Sequence, residues 1–273
     1  MRERESDSDG EVSSVSADAV GAKKPLIQSL ERALDIVEIV RDADGPMRSA
    51  DVARRMGLRA ATANNILRTL YQRGYLAQDD SSRYVLGSEC FKLYSQASDR
   101  FTDLRRVVSE PVRELSERTG DTAFFGCEYY GSVYCVSISI GGGQLVVSPQ
   151  QSWVDQLHCT ASGKIIIAEH GIDWYAEQCR RRPPRALTAR TLVTVDAMAA
   201  EIGKIHEAGY ALSIGECAEE IAALGIAVRD RTGAFVGALA QTFPAFYLES
   251  GRIDPVRRVE ALRTSAARIS HDL

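Results

Sequence analysis

Amide, hydroxyl and guanidinium side chains are concentrated in residues 60–73. Asn65 and Arg68 are three residues apart, so a helix places them on one side, with Thr62 and Asn64 beside them. An Asn side chain can form two hydrogen bonds with adenine, and an Arg side chain can do the same with guanine. These residue types at this spacing predict a helix that presents hydrogen-bonding groups to the base edges of a duplex.

An apolar stripe backs this polar side and ends at Gly74. Its members recur at helical spacing: Ala63, Ile66, Leu67 and Leu70. The flanking pattern predicts two earlier helices and two later strands, over 27–40, 50–56, 75–77 and 83–86. Ser29 is available as the N-cap of the first helix. We expect a helix-turn-helix followed by a hairpin, or wing, which places its last helix in the major groove.

The local charge agrees with this expectation. The whole chain carries a net charge of -4, which argues against a protein that coats nucleic acid indiscriminately. Residues 48–83, in contrast, contain seven arginines and three aspartates, so an acidic chain has a basic segment here. Arg48 and Arg59 near helix starts, and Ser81 and Arg83 on the wing, are candidate phosphate contacts. Judged on charge alone, a solvated basic helix face is an equal alternative.

The second half of the chain reads as a sheet flanked by helices. Strands are predicted over 122–127, 132–140, 145–147, 210–214, 225–229 and 234–242. Helices are predicted over 90–117 with a break at Pro111, and over 160–169, 195–208 and 252–269. Thr194 and Gly209 stand where the N-cap and C-cap of the 195–208 helix belong. This pattern indicates an α+β domain.

Several segments, in the same order, resemble the IclR family of transcription regulators. They are residues 27–36, 53–58, 62–63, 70–76 and 83–87 in the first half, and 157–164, 209–210 and Glu216 in the second. The resemblance implies an α+β fold with an N-terminal winged helix-turn-helix and a C-terminal GAF-like effector domain. It also implies that the partners are double-stranded operator DNA and a small organic acid or aromatic metabolite, and that the chain forms a homodimer or tetramer.

On this basis we expect a disordered tail over 1–24, the winged helix-turn-helix over 25–88, a linker helix over 89–110 and the effector-binding and oligomerisation domain over 111–273. We expect a cytoplasmic transcription regulator, a repressor rather than an activator, with no membrane partner. We expect no catalytic residue, metal or cofactor, and therefore no enzyme.

The resemblance also places an effector pocket in the second domain. Its expected residues are Thr160, Ala161, Ser162, Ser213, Ile221, Ala223, Ala240 and Thr242. The free N–H groups at the start of the helix after Thr160 suit a carboxylate, although Thr160 or Ser162 could equally serve only as a helix cap. The family commonly has an acidic residue where Ser213 stands and Ser where Ala240 stands, so a different ligand is expected.

The recognition helix departs from the family as well. The family usually has Lys-Ser-Thr at its start and an Arg further on, whereas this chain has Ala60, Ala61 and Thr62, and then Asn65. We therefore expect a different operator, with an adenine in each half-site and with Asn64, Asn65 and Arg68 carrying more of the base readout.

The six cysteines form no C-x-x-C pair and the four histidines no H-E-x-x-H pattern, so most thiols are expected to be reduced and buried. Two alternatives stay open. One is a redox- or metal-sensing regulator that acts through Cys159 or Cys217. The other is a cysteine-dependent enzyme in which Cys159, beside His158, is the nucleophile, but adjacent residues on a strand point to opposite faces.

Overall fold

The computed structural model describes residues 26–143, 145–147 and 156–273. The tail predicted over 1–24 lies outside the described residues. The described residues separate into two compact units, with the boundary between Gly87 and Ser88. None of the described helices is both long and apolar enough to cross a membrane.

The first unit contains the predicted helices and hairpin, with boundaries shifted by one or two residues. Its elements are α1 (Gln28–Arg41), α2 (Ser49–Arg55), α3 (Ala60–Gln72), β1 (Leu76–Gln78) and β2 (Tyr84–Leu86). The two strands pair antiparallel, with Leu76 opposite Leu86. The expected cap at Ser29 is wrong, because α1 begins at Gln28 and Ser29 lies inside it.

A small apolar core joins these elements. Its fully buried members are Ile36 of α1, Val52 of α2 and Leu67 of α3, and Leu76 of β1 is almost fully buried. Gly57 ends α2 with a φ of 61°, a left-handed conformation that favours glycine, and so allows the sharp turn into α3. The turn and the shared core together fix the direction in which α3 presents its polar side.

The second unit is built on a five-stranded antiparallel sheet of order β4-β3-β7-β6-β5. Its strands are β3 (Thr122–Tyr129), β4 (Ser132–Ser139), β5 (Ala211–Ile214), β6 (Ile221–Arg229) and β7 (Phe235–Pro244). Its helices are α4 (Ser88–Asp99), α5 (Thr102–Thr119), α6 (Ala161–His170), α7 (Ile172–Arg181), α8 (Val195–Ala208), α9 (Phe246–Glu249) and α10 (Pro255–Asp272).

Helices cover both faces of this sheet. Successive side chains of a strand point to opposite faces, so Ala123 and Phe125 pack in one core with α5 and α10. Phe124 points to the other face, where α6 and α8 form a second core. The cap at Thr194 is confirmed, since its hydroxyl accepts a hydrogen bond from the N–H of Ala197 at 3.2 Å.

Several details of the second unit differ from the expectation. The helical break lies between α4 and α5, and Pro111 is buried inside α5, where packing on the sheet outweighs the lost backbone hydrogen bond. Residues 145–147 form no strand, and the carbonyl of Val147 accepts a hydrogen bond from the Thr122 hydroxyl instead. Helix α7, with Tyr175 buried, was not predicted.

Candidate nucleic-acid interface and effector pocket

Helix α3 has one buried and one exposed side. Ala63 and Leu67 are completely buried. Asn64, Asn65 and Arg68 are exposed, and their side chains have no hydrogen-bond or ion-pair partner within the described part of the chain. Hydrogen-bonding groups that are exposed and unused are free to bind another molecule.

The start of α3 adds backbone donors to this surface. Arg59 occupies the N-cap position without a side-chain cap, so the first N–H groups of the helix, at Ala60 and Ala61, lack acceptors inside it. Thr62 follows and is half-buried. Arg48 holds the corresponding position before α2, and both arginines are exposed. Two helix starts therefore combine unsatisfied N–H groups with positive charge, which suits phosphate.

The wing is organised by Asp79. Its carboxylate accepts hydrogen bonds from the N–H groups of Ser81 and Arg83, each at 2.9 Å, and from the Arg83 guanidinium at 2.8 Å. These bonds, first of all the one from the Arg83 N–H, lower the pKa of Asp79. Ser81 is exposed at the tip. Arg83 therefore has a structural role that its sequence position alone did not indicate.

A cavity lies between α6 and the sheet of the second unit. All eight residues predicted for the effector pocket line it, contributed by the first turn of α6 and by β5, β6 and β7. Sequence reasoning missed the remaining lining residues: Thr122, Phe124, Val133, Ile138, Cys159 and Cys217. The alternation of β3 and β4 could have indicated several of these, once the covered face was known.

The cavity wall is largely apolar, and none of the described residues that line it is charged. The Thr160 hydroxyl caps α6, accepting from the N–H of Gly163 at 3.1 Å and donating to the carbonyl of Gln156 at 2.9 Å. The N–H groups of Ala161 and Ser162 are in the first turn of α6 and have no acceptor inside the helix. Both N–H groups can donate to an anionic group, and they lie at the positive end of the helix.

A buried ion cluster holds α6 in place behind the cavity. The Lys164 ammonium is fully buried and donates to Glu201 of α8 at 2.8 Å, to Glu216 at 2.7 Å and to the carbonyl of Leu212 at 2.7 Å. Burial raises the pKa of Glu216 more than Lys164 lowers it. For Glu201, burial is outweighed by hydrogen bonds and charge from Lys164 and from Lys204, so its pKa is lowered.

Cys159 and Cys217 meet at the cavity, with a distance of 2.7 Å between their Sγ atoms. The hydrogen bond with Cys217, and then burial, raise the pKa of Cys159. The ring of His158 contacts the carbonyl of Arg185 instead, so Cys159 and His158 form no nucleophile and base pair. Over the described ranges, no three metal-ligating side chains are close enough to hold an ion.

Comparison with known proteins agrees with this geometry. Residues 97–271 match the profile of the bacterial transcriptional regulator IclR C-terminal domain, and residues 29–80 match that of the IclR helix-turn-helix domain. The glycerol operon regulatory protein of Streptomyces griseus is 30% identical over 249 residues, 90% of this chain and 96% of that protein.

Solved structures share the fold. The IclR of Thermotoga maritima has a TM-score of 0.64 at 21% identity, and covers 90% of this chain and 98% of its own. An IclR homolog from Microbacterium hydrocarbonoxydans, complexed with 4-hydroxybenzoate, has a TM-score of 0.66 at 20% identity with the same coverage. The profile match over most of the second unit, together with the helix-turn-helix match, shows that this chain belongs to the IclR family of DNA-binding transcription regulators and is not an enzyme.

Proposed function

We propose that α3 enters the major groove and reads base edges with Asn64, Asn65 and Arg68, with Thr62 at its start. The observation that carries the proposal is the unused hydrogen-bonding capacity of these exposed side chains on a helix whose other side is buried. Asn suits adenine and Arg suits guanine, so each half-site of the operator contains an adenine and a guanine.

Phosphate contacts then come from Arg48 and Arg59 at the two helix starts and from Ser81 and Arg83 on the wing. Arg83 keeps the wing in shape through Asp79, and its side chain is still 41% exposed. Its guanidinium has more donors than the Asp79 bond uses, so it can bind a phosphate while it stays in the ion pair.

We propose a small organic acid with an apolar or aromatic body as the effector. The uncharged wall around Phe124 excludes water from such a body, and the N–H groups of Ala161 and Ser162 at the positive end of α6 suit its carboxylate. Ser162 and Thr242 carry hydroxyls with no partner within the described residues. The relative that contains 4-hydroxybenzoate is consistent with this class of ligand.

The proposal includes a homodimer, or a tetramer built from dimers. Large apolar side chains are exposed on α1 and α4: Leu30 is 57% exposed and Phe91 is 70% exposed. Leu34 lies one turn beyond Leu30 on the same side of α1. Apolar surface of this kind marks protein interfaces. A two-fold dimer reads a palindromic operator.

The structure divides the linker helix predicted over 89–110 between α4 and the first half of α5. The coupling between ligand and DNA is proposed to pass through these two helices. Ligand binding shifts the chain towards one arrangement of the two DNA-binding heads, and the two affinities change by the same factor. We propose that the protein represses its target genes and that the ligand relieves this repression. A reporter gene placed behind the operator tests the repression: its expression must rise when the gene that encodes this protein is deleted.

Selection of duplexes from a randomised pool by the full-length protein tests the DNA part of the proposal. The expected result is enrichment of a palindrome with an adenine in each half-site. Recovery of duplexes without any shared sequence would overturn specific readout by α3.

Calorimetry tests the ligand part. We expect 4-hydroxybenzoate to bind and 4-hydroxybenzyl alcohol, which has the same ring without the carboxylate, to bind at least about tenfold more weakly, because the α6 N–H groups lose their charged acceptor. Equal binding of both compounds would contradict a carboxylate site at Ala161 and Ser162.

A further inference from the structure

Two thiols lie side by side in the wall of the cavity. Cys159 and Cys217 are 58 residues apart in the chain, and their Sγ atoms are 2.7 Å apart, close to the roughly 2.05 Å of a disulfide bond. Cys159 is completely buried, whereas Cys217 is half-buried. Both face the cavity, so a molecule that enters it reaches Cys217.

The backbone around both thiols is held in place. The carbonyl of Cys159 accepts hydrogen bonds from the Ser213 hydroxyl at 2.7 Å and from the Cys217 thiol at 3.1 Å. Glu216, the neighbour of Cys217, is bound by the buried Lys164. These contacts fix the backbone positions of Cys159 and Cys217, so the folded second unit keeps the two thiols near each other.

We propose that Cys159 and Cys217 form a modification site, at which a hydroperoxide converts the two thiols into a disulfide in the wall of the effector pocket. The formation of the bond depends only on the geometry of the thiols. Its effect on ligand binding rests on the proposed function of the cavity.

The reaction balances in two steps. The Cys217 sulfur attacks one oxygen of hydrogen peroxide, the O–O bond breaks, and a sulfenic acid and one water form. The Cys159 sulfur then attacks the Cys217 sulfur, the S–O bond breaks, and the disulfide forms as the hydroxyl leaves with the Cys159 proton as a second water. Two thiols are oxidised and one peroxide is reduced. Cys217 is the sulfur that attacks first, because it is half-buried and within reach of a molecule in the cavity, whereas Cys159 is completely buried.

The new bond would join two walls of the cavity. Cys159 directly precedes the cap of α6, and Cys217 lies between β5 and β6. A bond between them fixes the start of α6, with the N–H groups of Ala161 and Ser162, to that connection. We expect the affinity for a carboxylate ligand to change by about tenfold, a typical size for coupling between two events in one domain.

Peptide mass spectrometry of the full-length protein tests the bond itself. After treatment with hydrogen peroxide and alkylation of the remaining thiols, we expect a cross-linked peptide pair that contains Cys159 and Cys217. Cys217→Ser must abolish it, and Cys179→Ser, which removes another half-buried thiol, must leave it intact. Thermal unfolding checks that both variants are folded. Overoxidation of Cys217 without a cross-link, or alkylation of both thiols after treatment, would overturn the proposal.

Calorimetry with 4-hydroxybenzoate tests the consequence. The expected result is a tenfold difference in affinity between reduced and peroxide-treated protein, restored by dithiothreitol and absent in Cys217→Ser. Equal affinity of both forms would overturn the link between the bond and the cavity. If the probe binds neither form, the proposed ligand class fails, whereas the cross-link measured by mass spectrometry still decides whether the site exists.

Discussion

The two units place their polar chemistry in opposite environments. In the first unit, Asn64, Asn65 and Arg68, which are proposed to read bases, are exposed and lie outside the core that contains Ile36 and Leu67. In the second unit, the groups around the cavity also hold the fold, because Thr160 caps α6 and Lys164 ties it to Glu201 and Glu216. DNA binding and stability should therefore separate under mutation, whereas ligand binding and stability should change together.

The largest expected effect is on the free energy of unfolding, when the buried ammonium of Lys164 is removed. Lys164→Met leaves the buried carboxylate of Glu216 without a cation and beside the carboxylate of Glu201, and we expect a loss of about 3–5 kcal/mol in the free energy of unfolding. Lys204→Met is the matched control, because Lys204 also pairs with Glu201 but is 75% exposed, and its loss should cost at most about 1 kcal/mol. Urea unfolding measures the free energy of unfolding of both variants. Equal losses would contradict the distinction between a buried and an exposed lysine.

The second effect concerns DNA alone. Arg68→Ala should weaken operator binding by about 1–3 kcal/mol and relax base preference at one position, with unfolding unchanged within about 0.5 kcal/mol. Arg73→Ala removes the same charge from the exposed end of α3 and should weaken binding to all duplexes alike, if at all. Fluorescence anisotropy on operator and scrambled duplexes separates the two. An equal loss of operator affinity in both variants would indicate that Arg68 contributes only its charge to DNA binding.

Two helix caps provide a smaller and more discriminating comparison. Thr160 caps α6 and Thr194 caps α8 through the same bond to the N–H three residues on, at 3.1 and 3.2 Å. Each Thr→Ala change should lower the free energy of unfolding by about 1 kcal/mol. Only Thr160→Ala should also weaken the binding of 4-hydroxybenzoate. Weaker binding in both variants would show that ligand affinity merely follows overall stability.

The smallest expected effect is on the pH dependence of the free energy of unfolding, to which two glutamates contribute with opposite signs. The raised pKa of Glu216 means that its contribution to stability is lost as pH rises from about 4.5 through the raised value. The lowered pKa of Glu201 means that its contribution is lost as pH falls below about 4.5. Unfolding at several pH values should show that Glu216→Gln removes the first dependence and Glu201→Gln the second. If both variants showed the same dependence of unfolding on pH, the opposite pKa shifts of the two glutamates would be refuted.

Local patterns predicted much of the fold. Helical periodicity, together with Gly57 and Gly74, predicted α2, α3 and the exposed side of α3. The Thr194 cap predicted the start of α8. These predictions succeeded because each feature depends on residues only a few positions apart. Pro111 misled because its local preference against helix is overridden by packing on the sheet.

The contacts that build the cavity could not be predicted in this way. Lys164 meets partners 37 and 52 residues away, and Cys159 meets Cys217 58 residues away. No periodicity relates such positions, since only the strand order and register bring them together. Resemblance to the IclR family supplied the pocket residues, and nothing in the local sequence would have replaced it.

The central claim is that the exposed side of α3 reads bases. A double-mutant cycle, which combines a protein variant with a base change in the operator, tests it most directly. Anisotropy would measure wild type and Asn65→Ala on the selected operator, and on the same duplex with the half-site adenine replaced by guanine. If the exposed side of α3 reads bases, wild type should lose about 1–3 kcal/mol on the altered duplex and Asn65→Ala should bind both duplexes alike. An Asn65→Ala protein with the affinity and base preference of wild type would contradict the account.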